Sequence, residues 1–361
     1  MNGRSFATGA ITGFGSVIVN GVRFDDSVAA VADDDGNVGR STDLKLGMTL
    51  EIHGDAIADD ATGSHSIARA IVFGAALLGP VSAVDAATKT LVVLGQTVHV
   101  LDTTVLDDRL VGGFAGIAVG SVLEIHGQLE ATTGAYSASR AGPSLAAAGF
   151  KIRGIVGSLD SVAKTFRIGG TSISYATVAN VPVDLANGSL ISVRLQTAQV
   201  AGNWVATRIS SSKPRADDGD AARIEGAITA FTSTTQFSVN GIAVDASHAQ
   251  FDKGMVGLVL GAQVEVRGVS SNGVITATRV TVESHQEVHD RGFELHGAVT
   301  ALDAVAKSFV LRGVTVSYAD PAVRFDDGGA ATLAVGVQLE AQGTLSADGT
   351  KLLASRIEFG K

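Results

Sequence analysis

The pattern Gly-x-[Val/Ile]-[Thr/Ser/Gly] recurs at a regular spacing along the chain, as GAIT at Gly9, GPVS at Gly79, GIVG at Gly154, GAIT at Gly226 and GAVT at Gly297. Successive copies begin 70, 75, 72 and 71 residues apart. Self-similarity at a fixed period means one structural unit made repeatedly, so each unit must close its own core within one period. This constrains the fold of the 361-residue chain more than any single motif does.

Within each period the apolar residues alternate with polar ones in short runs, the signature of half-buried strands. A second run follows each start, as VIV at Val17, LVV at Leu91, FRI at Phe166, FSV at Phe237 and FVL at Phe309. A Gly turn leads to a third, as VRF at Val22, VHV at Val98, ISY at Ile173, IAV at Ile242 and VTV at Val314. A variable, often Asp-rich stretch then precedes a fourth run, LEIHG at Leu50 and Leu123, VEVRG at Val264 and LEAQG at Leu339. The fifth ends in ATRI at Ala206, ATRV at Ala277 and ASRI at Ala354, with looser forms around Arg69 and Arg140. Five strands with a longer excursion between the third and fourth is the chain order of an OB-type barrel. The sequence thus predicts an all-β protein of five tandem small five-stranded OB-like barrels, with small open β-sandwiches as the alternative. The units fall at 1–74, 75–145, 146–212, 222–283 and 293–361, with linkers at 213–221 and 284–292.

Composition agrees with short strands and tight turns: 44 Gly, 5% aromatic and only 17% charged residues, against roughly 25% charged in an average soluble domain. The net charge of −9 and the few aromatics argue against nucleic acid, which needs a basic face and stacking rings. Absence of Cys excludes disulfides, thiolate metal sites and a cysteine nucleophile. The most apolar run, VFGAALLGPVSAV at 72–84, is interrupted by Gly and Pro and too short to span a bilayer, so no transmembrane segment is expected. The N-terminus, MNGRSFATG, carries no signal pattern.

The opening TGAITGFGSVIVNGVRFD at 8–25, the GxVTALDxxxKSFxL unit at Gly297, the LxxGxxLEIHG strand and the terminal ATRI together resemble the bacterial "domain of unknown function 5666" family. Repeat 3 departs most, with SVRLQT at 192–197 in place of EIHG. The resemblance implies an extracytoplasmic protein of the cell envelope, at the surface, in the periplasm or secreted, and it supplies no catalytic residues.

LEIHG invites a chemical reading because His stands beside Glu. In strand register Leu50 and Ile52 face one side, and Glu51 and His53 the other. Across the repeats the His position holds His53, His126, Arg194, Arg267 and Gln342, which predicts a solvent-facing polar residue and no ligand. Glu recurs as Glu51, Glu124, Glu265 and Glu340, with Ser192 in repeat 3, and the fifth strand carries Arg69, Arg140, Arg208, Arg279 and Arg356. Pairing of strands four and five would make these structural ion pairs: Glu51 with Arg69, Glu124 with Arg140, Glu265 with Arg279 and Glu340 with Arg356. A divalent metal could be held by Glu283, His285, Glu287 and His289 in ESHQEVHDRG, a solvated polar joint being the plainer reading. Asp runs at 33–35, 59–60, 217–220 and 326–327 lack the calcium-loop spacing and read as loop tips. Trp204 aligns with Ile275 and Leu352 and reads as a core residue.

No nucleophile, acid and base converge in the sequence, and no cofactor motif occurs, so the expectation is a protein that is not an enzyme. The expected role is structural or adhesive, with self-association into a filament by donation of the first strand, through Ile11, or of the last, from Lys351, to a neighbour's sheet edge. The expected partners are then copies of itself or other envelope components. The alternatives are a binding module for a glycan or peptide, and a metal-binding surface protein using His285 and His289.

Overall fold

The computed structural model describes residues 4–61, 63–130, 132–144, 148–211, 216–252, 254–283 and 292–360. Each repeat is a closed five-stranded barrel in which strand one pairs with two, two with three, three in parallel with five, five with four, and four back with one. In repeat 2 these strands are Leu77–Asp85, Thr90–Val93, Gln96–Leu106, Val122–Leu129 and Tyr136–Pro143. The same circuit closes repeat 1, repeat 3, repeat 4 and repeat 5. The order is that of the OB-like barrel, and among the described residues it gives each of the five barrel strands a partner on both sides.

Two recurring glycines follow from this geometry. A Cβ at Gly9, Gly79 or Gly226 would lie within 2.4 Å of the Asn20, Leu94 or Asn240 side chain, which folds over the first strand from the second turn. In LEIHG the final Gly sits at a register shift where strand five crosses closely: a Cβ at Gly127 would meet the Ser137 carbonyl oxygen at 2.2 Å. Inward alternation holds as well, with Leu50, Ile52, Leu123, Ile125, Val264, Val266, Leu339 and Ala341 all at most 2% exposed.

The barrels are not beads on a string. One core cluster runs through repeats 1 and 5, a second through repeats 2 and 3, and a third fills repeat 4 together with Phe6 of repeat 1. The centre of this arrangement is the first strand of the chain, Arg4–Phe14. Its early half pairs with Thr49–Asp55 on one side and in parallel with Ala221–Ser233 of repeat 4 on the other. Its later half pairs with Val17–Val19 and in parallel with Phe293–Asp303 of repeat 5. Asn20 clamps the repeat 1–4 joint, donating to the carbonyls of Thr8 at 2.9 Å and Arg223 at 3.1 Å. The stretch before repeat 4 is not a free linker throughout: Ala216 is buried in the repeat 4 core, and Gly219 N–H donates to the Ser270 carbonyl at 2.7 Å.

Donation of a terminal strand to a neighbour, as expected from the sequence, would require a strand paired within the chain to leave its barrel. Arg4–Phe14 has both edges occupied within the chain. The last strand, Lys351–Phe359, lies between Gln338–Leu345 and the parallel strands Val314–Ser317 and Arg324–Asp326. A strand placed at a chain end is central in space because the repeats pack around it. Neither terminal strand is therefore expected to recruit a second copy. Analytical ultracentrifugation should show no growth in mass with concentration, and electron microscopy no fibres; concentration-dependent polymers would mean that one of these strands leaves its barrel.

Candidate functional site

The loop that enters strand four of repeat 1 docks on strand five of repeat 2. Ser139 Oγ donates to the Gly47 carbonyl at 2.7 Å and Arg140 Nη1 to the Leu46 carbonyl at 3.0 Å. Gly47 has φ of 79°, and a Cβ there would strike the Ser139 carbonyl oxygen at 2.5 Å, so only glycine lets the two backbones approach. Beside this contact, where repeats 1, 2, 4 and 5 converge, lies a cavity of about 320 Å³. Its apolar floor comes from Ile11, Leu101, Ala138 and Phe293. Its polar rim carries the amides of Gln128 and Gln263 and the carboxylates of Asp102, Glu225 and Glu283. That size falls within the roughly 300–1,000 Å³ of small-molecule sites, and an apolar surface with a few placed polar groups is their usual make-up.

The fifth-strand arginines take partners other than those the sequence suggested. Strands four and five do pair, but the register sets the His position opposite Arg: His126 faces Arg140, Arg194 faces Arg208, Arg267 faces Arg279 and Gln342 faces Arg356. Each Glu bonds along its own strand instead, Glu124 to His126 at 2.8 Å, Glu265 to Arg267 at 2.7 Å and Glu340 to Gln342 at 2.8 Å. The arginines reach an Asp that follows the third strand: Arg140 to Asp107 at 2.5 Å, Arg279 to Asp252 at 3.4 Å and Arg356 to Asp326 at 2.6 Å. Arg69 turns to Asp55 at 2.5 Å, while Glu51 lies near enough to attract the charge of buried Arg153. The signal for these acids is present in the sequence, as VLDD at 105–108, QFDK at 250–253 and RFDD at 324–327. His126 is also not solvent-facing: it is 1% exposed, on the strand position opposite the buried Arg140. Its hydrogen bond holds the Glu124 carboxyl below the usual range despite burial.

A family model described as "Domain of unknown function (DUF5666)" matches residues 79–141, 225–281 and 296–358, which together are just over half of the chain. The chain belongs to the DUF5666 family. Those matches are repeats 2, 4 and 5 of the DUF5666 protein, and repeats 1 and 3 share their strand circuit. No curated protein matches the chain. Among solved structures, Drosophila Unr CSD456 is similar at 12% identity over 60% of this chain and 99% of that one, with a TM-score of 0.14, too low to carry an argument. No helix among the described residues is long and apolar enough to cross a membrane.

The remaining candidates sort by where this DUF5666 fold places them. His285, Glu287 and His289 lie outside the described residues, whereas Glu283 is buried on the rim of the cavity. Among the described residues His53, Asp217 and Asp220 bring their ligand atoms within 4.8 Å of one another at the repeat 1–4 joint. Burial pushes the Asp220 carboxyl above its usual range. The Asp run at 33–35 is a repeat-to-repeat tie more than a loop tip. Asp34 meets Lys151 of repeat 3, and Asp35 meets Arg194 and, at 3.6 Å, Arg208. Trp204 is half-buried and packs edge-on against Phe150, with ring centroids 5.5 Å apart.

Proposed function

We propose that this DUF5666 protein is a non-enzymatic, extracytoplasmic binding module that recognises a polar ligand, a glycan or a peptide, in the cavity where repeats 1, 2, 4 and 5 meet. The observation that supports this reading is the cavity's construction: four repeats supply its walls, so the packed barrels present one shared recess. Hydrogen-bond acceptors and amides around an apolar floor suit a ligand rich in hydroxyl or amide groups. Closed barrels provide the fixed positions that such recognition requires. The extracytoplasmic placement is what the sequence resemblance to the DUF5666 family implies.

Glycan and peptide arrays probed with the whole chain, followed by calorimetry of the hits, test the proposal. Gln263→Ala removes one rim amide and Thr103→Trp fills the recess; each is expected to weaken binding by about tenfold or more, from loss of one well-made polar contact or of access. Hits indifferent to both variants, in proteins whose melting is unchanged, would place recognition elsewhere. An array without hits would remove the glycan and peptide reading.

A further inference from the structure

A second cavity, of about 370 Å³, opens on the other side of the Leu46–Arg140 contact, where repeats 1, 2 and 5 meet. Its lining has the opposite character to the first. Lys45, Arg109, Arg140 and Arg312 face Asp107 and Asp108, four cations to two carboxylates, in a chain whose net charge is −9. Asp107 is shared three ways, accepting from Arg109 Nε at 2.6 Å and Arg140 Nη2 at 2.5 Å with Lys45 Nζ at 3.7 Å. Arg140 is fully committed, since its other terminal nitrogen holds the Leu46 carbonyl. Lys45 and Arg109 keep about half of their side chains exposed. Arg312 donates Nε to the His296 carbonyl at 3.0 Å and lies 5.9 Å from the Phe14 ring centroid, leaving its terminal nitrogens without a carboxylate among the described residues. Glu124, whose charge also acts on Arg109, is taken by His126. Ser41 and Thr42 add hydroxyls to the same wall.

We infer that this cavity binds an oxyanion, carboxylate or phosphate, through Lys45, Arg109 and Arg312. The cations come from three repeats and are held apart by the fold, with Asp107 fixing two of them from behind. Preorganised guanidinium donors are the groups best matched to planar or tetrahedral oxyanions. The site is separate from the cavity proposed above, and its test does not depend on that reading.

Isothermal titration of the whole chain with inorganic phosphate and with glucuronate, each against chloride at equal ionic strength, tests the inference. Saturable heat with at least one of the two probes is expected; a response to phosphate alone or to glucuronate alone identifies which oxyanion fits. Arg312→Gln and Lys45→Gln, both at accessible positions, should each weaken binding by about tenfold, the effect of one lost charged hydrogen bond. Arg167→Gln, outside the cavity, should leave it unchanged. No heat from either probe, or equal affinity in the Arg312 and Lys45 variants with melting temperatures intact, overturns the assignment.

Discussion

Phe6→Ala is expected to lower the stability of the whole protein by about 3–5 kcal/mol, the range for truncating a fully buried aromatic ring. Phe6 belongs to repeat 1 by sequence and to repeat 4 by packing: it is 0% exposed and sits in the cluster formed by Ile224, Val264 and Val266. His53 meets its edge with ring centroids 5.2 Å apart. The backbone around it is held from both sides, with Ser5↔Ala221 and Thr8↔Ile224 in register, so the ring has no means of following a collapsing cavity. The loss should therefore stay near the upper part of the range. Its distribution is diagnostic. In a linear repeat array the damage would remain with nearest neighbours in sequence, whereas here amides of repeat 4 should exchange faster although repeats 2 and 3 separate it from the mutation. Urea unfolding gives the magnitude and amide hydrogen exchange gives the location. Phe6→Leu, which keeps most of the apolar volume, should cost clearly less, about 1–2 kcal/mol. A drop below about 1 kcal/mol for Phe6→Ala, or protection lost only within repeat 1, would contradict the shared core.

What the sequence disclosed and what it concealed divide along one line. Period-2 alternation is local, so Leu50 and Ile52 could be placed inward, whereas the Gly of LEIHG lies within its strand at the register shift. Five copies of that pattern with the excursion before strand four were enough to name the barrel. Contacts between repeats depend on which loops meet, and those are the least alike from copy to copy. Asp34 and Asp35 read as loop-tip residues because nothing near them in sequence pairs with them; their partners Lys151 and Arg194 are more than a hundred positions away. Nothing in the sequence set Phe6 apart, for the same reason. The Glu–Arg assignment failed for a subtler one: the register shift at the glycine moves Arg opposite the His position, and no propensity argument fixes a shift of that size. The two cavities are products of these joints, which is why the sequence offered a binding module as an alternative without locating its site.

Asp107→Ala is expected to cost about 3–5 kcal/mol, because it strips the counter-charge from a buried cation. The Arg140 side chain is only 9% exposed and that of Asp107 5%, so neither regains full hydration when its partner goes. Burial alone would raise the Asp107 carboxyl, but the hydrogen bond from Arg109 and the charges of Arg140 and Lys45 outweigh it and hold it well below the usual range. A carboxyl depressed on folding stabilises at pH values above its unfolded value of about 3.9 and loses that contribution as pH falls through the folded value. The unfolded chain binds more protons in that interval, so the wild type should lose stability on acidification more steeply than the variant. Urea melts from about pH 6 to pH 2 should accordingly show two curves that converge toward acid. Parallel curves would mean that Asp107 is not the acid-sensitive partner. Asp55→Ala, at the exposed pair with Arg69, should produce a much smaller change at every pH, since solvent screens that pair. The Asp107 effect should also reach the seam. Without its anchor, Arg140 no longer holds a fixed position under the Leu46 carbonyl, and the wall between the two cavities loosens. A double-mutant cycle of Asp107→Ala with Arg140→Ala should then return a coupling energy of at least about 1.5 kcal/mol, whereas additive losses would show that the two residues stabilise the seam independently.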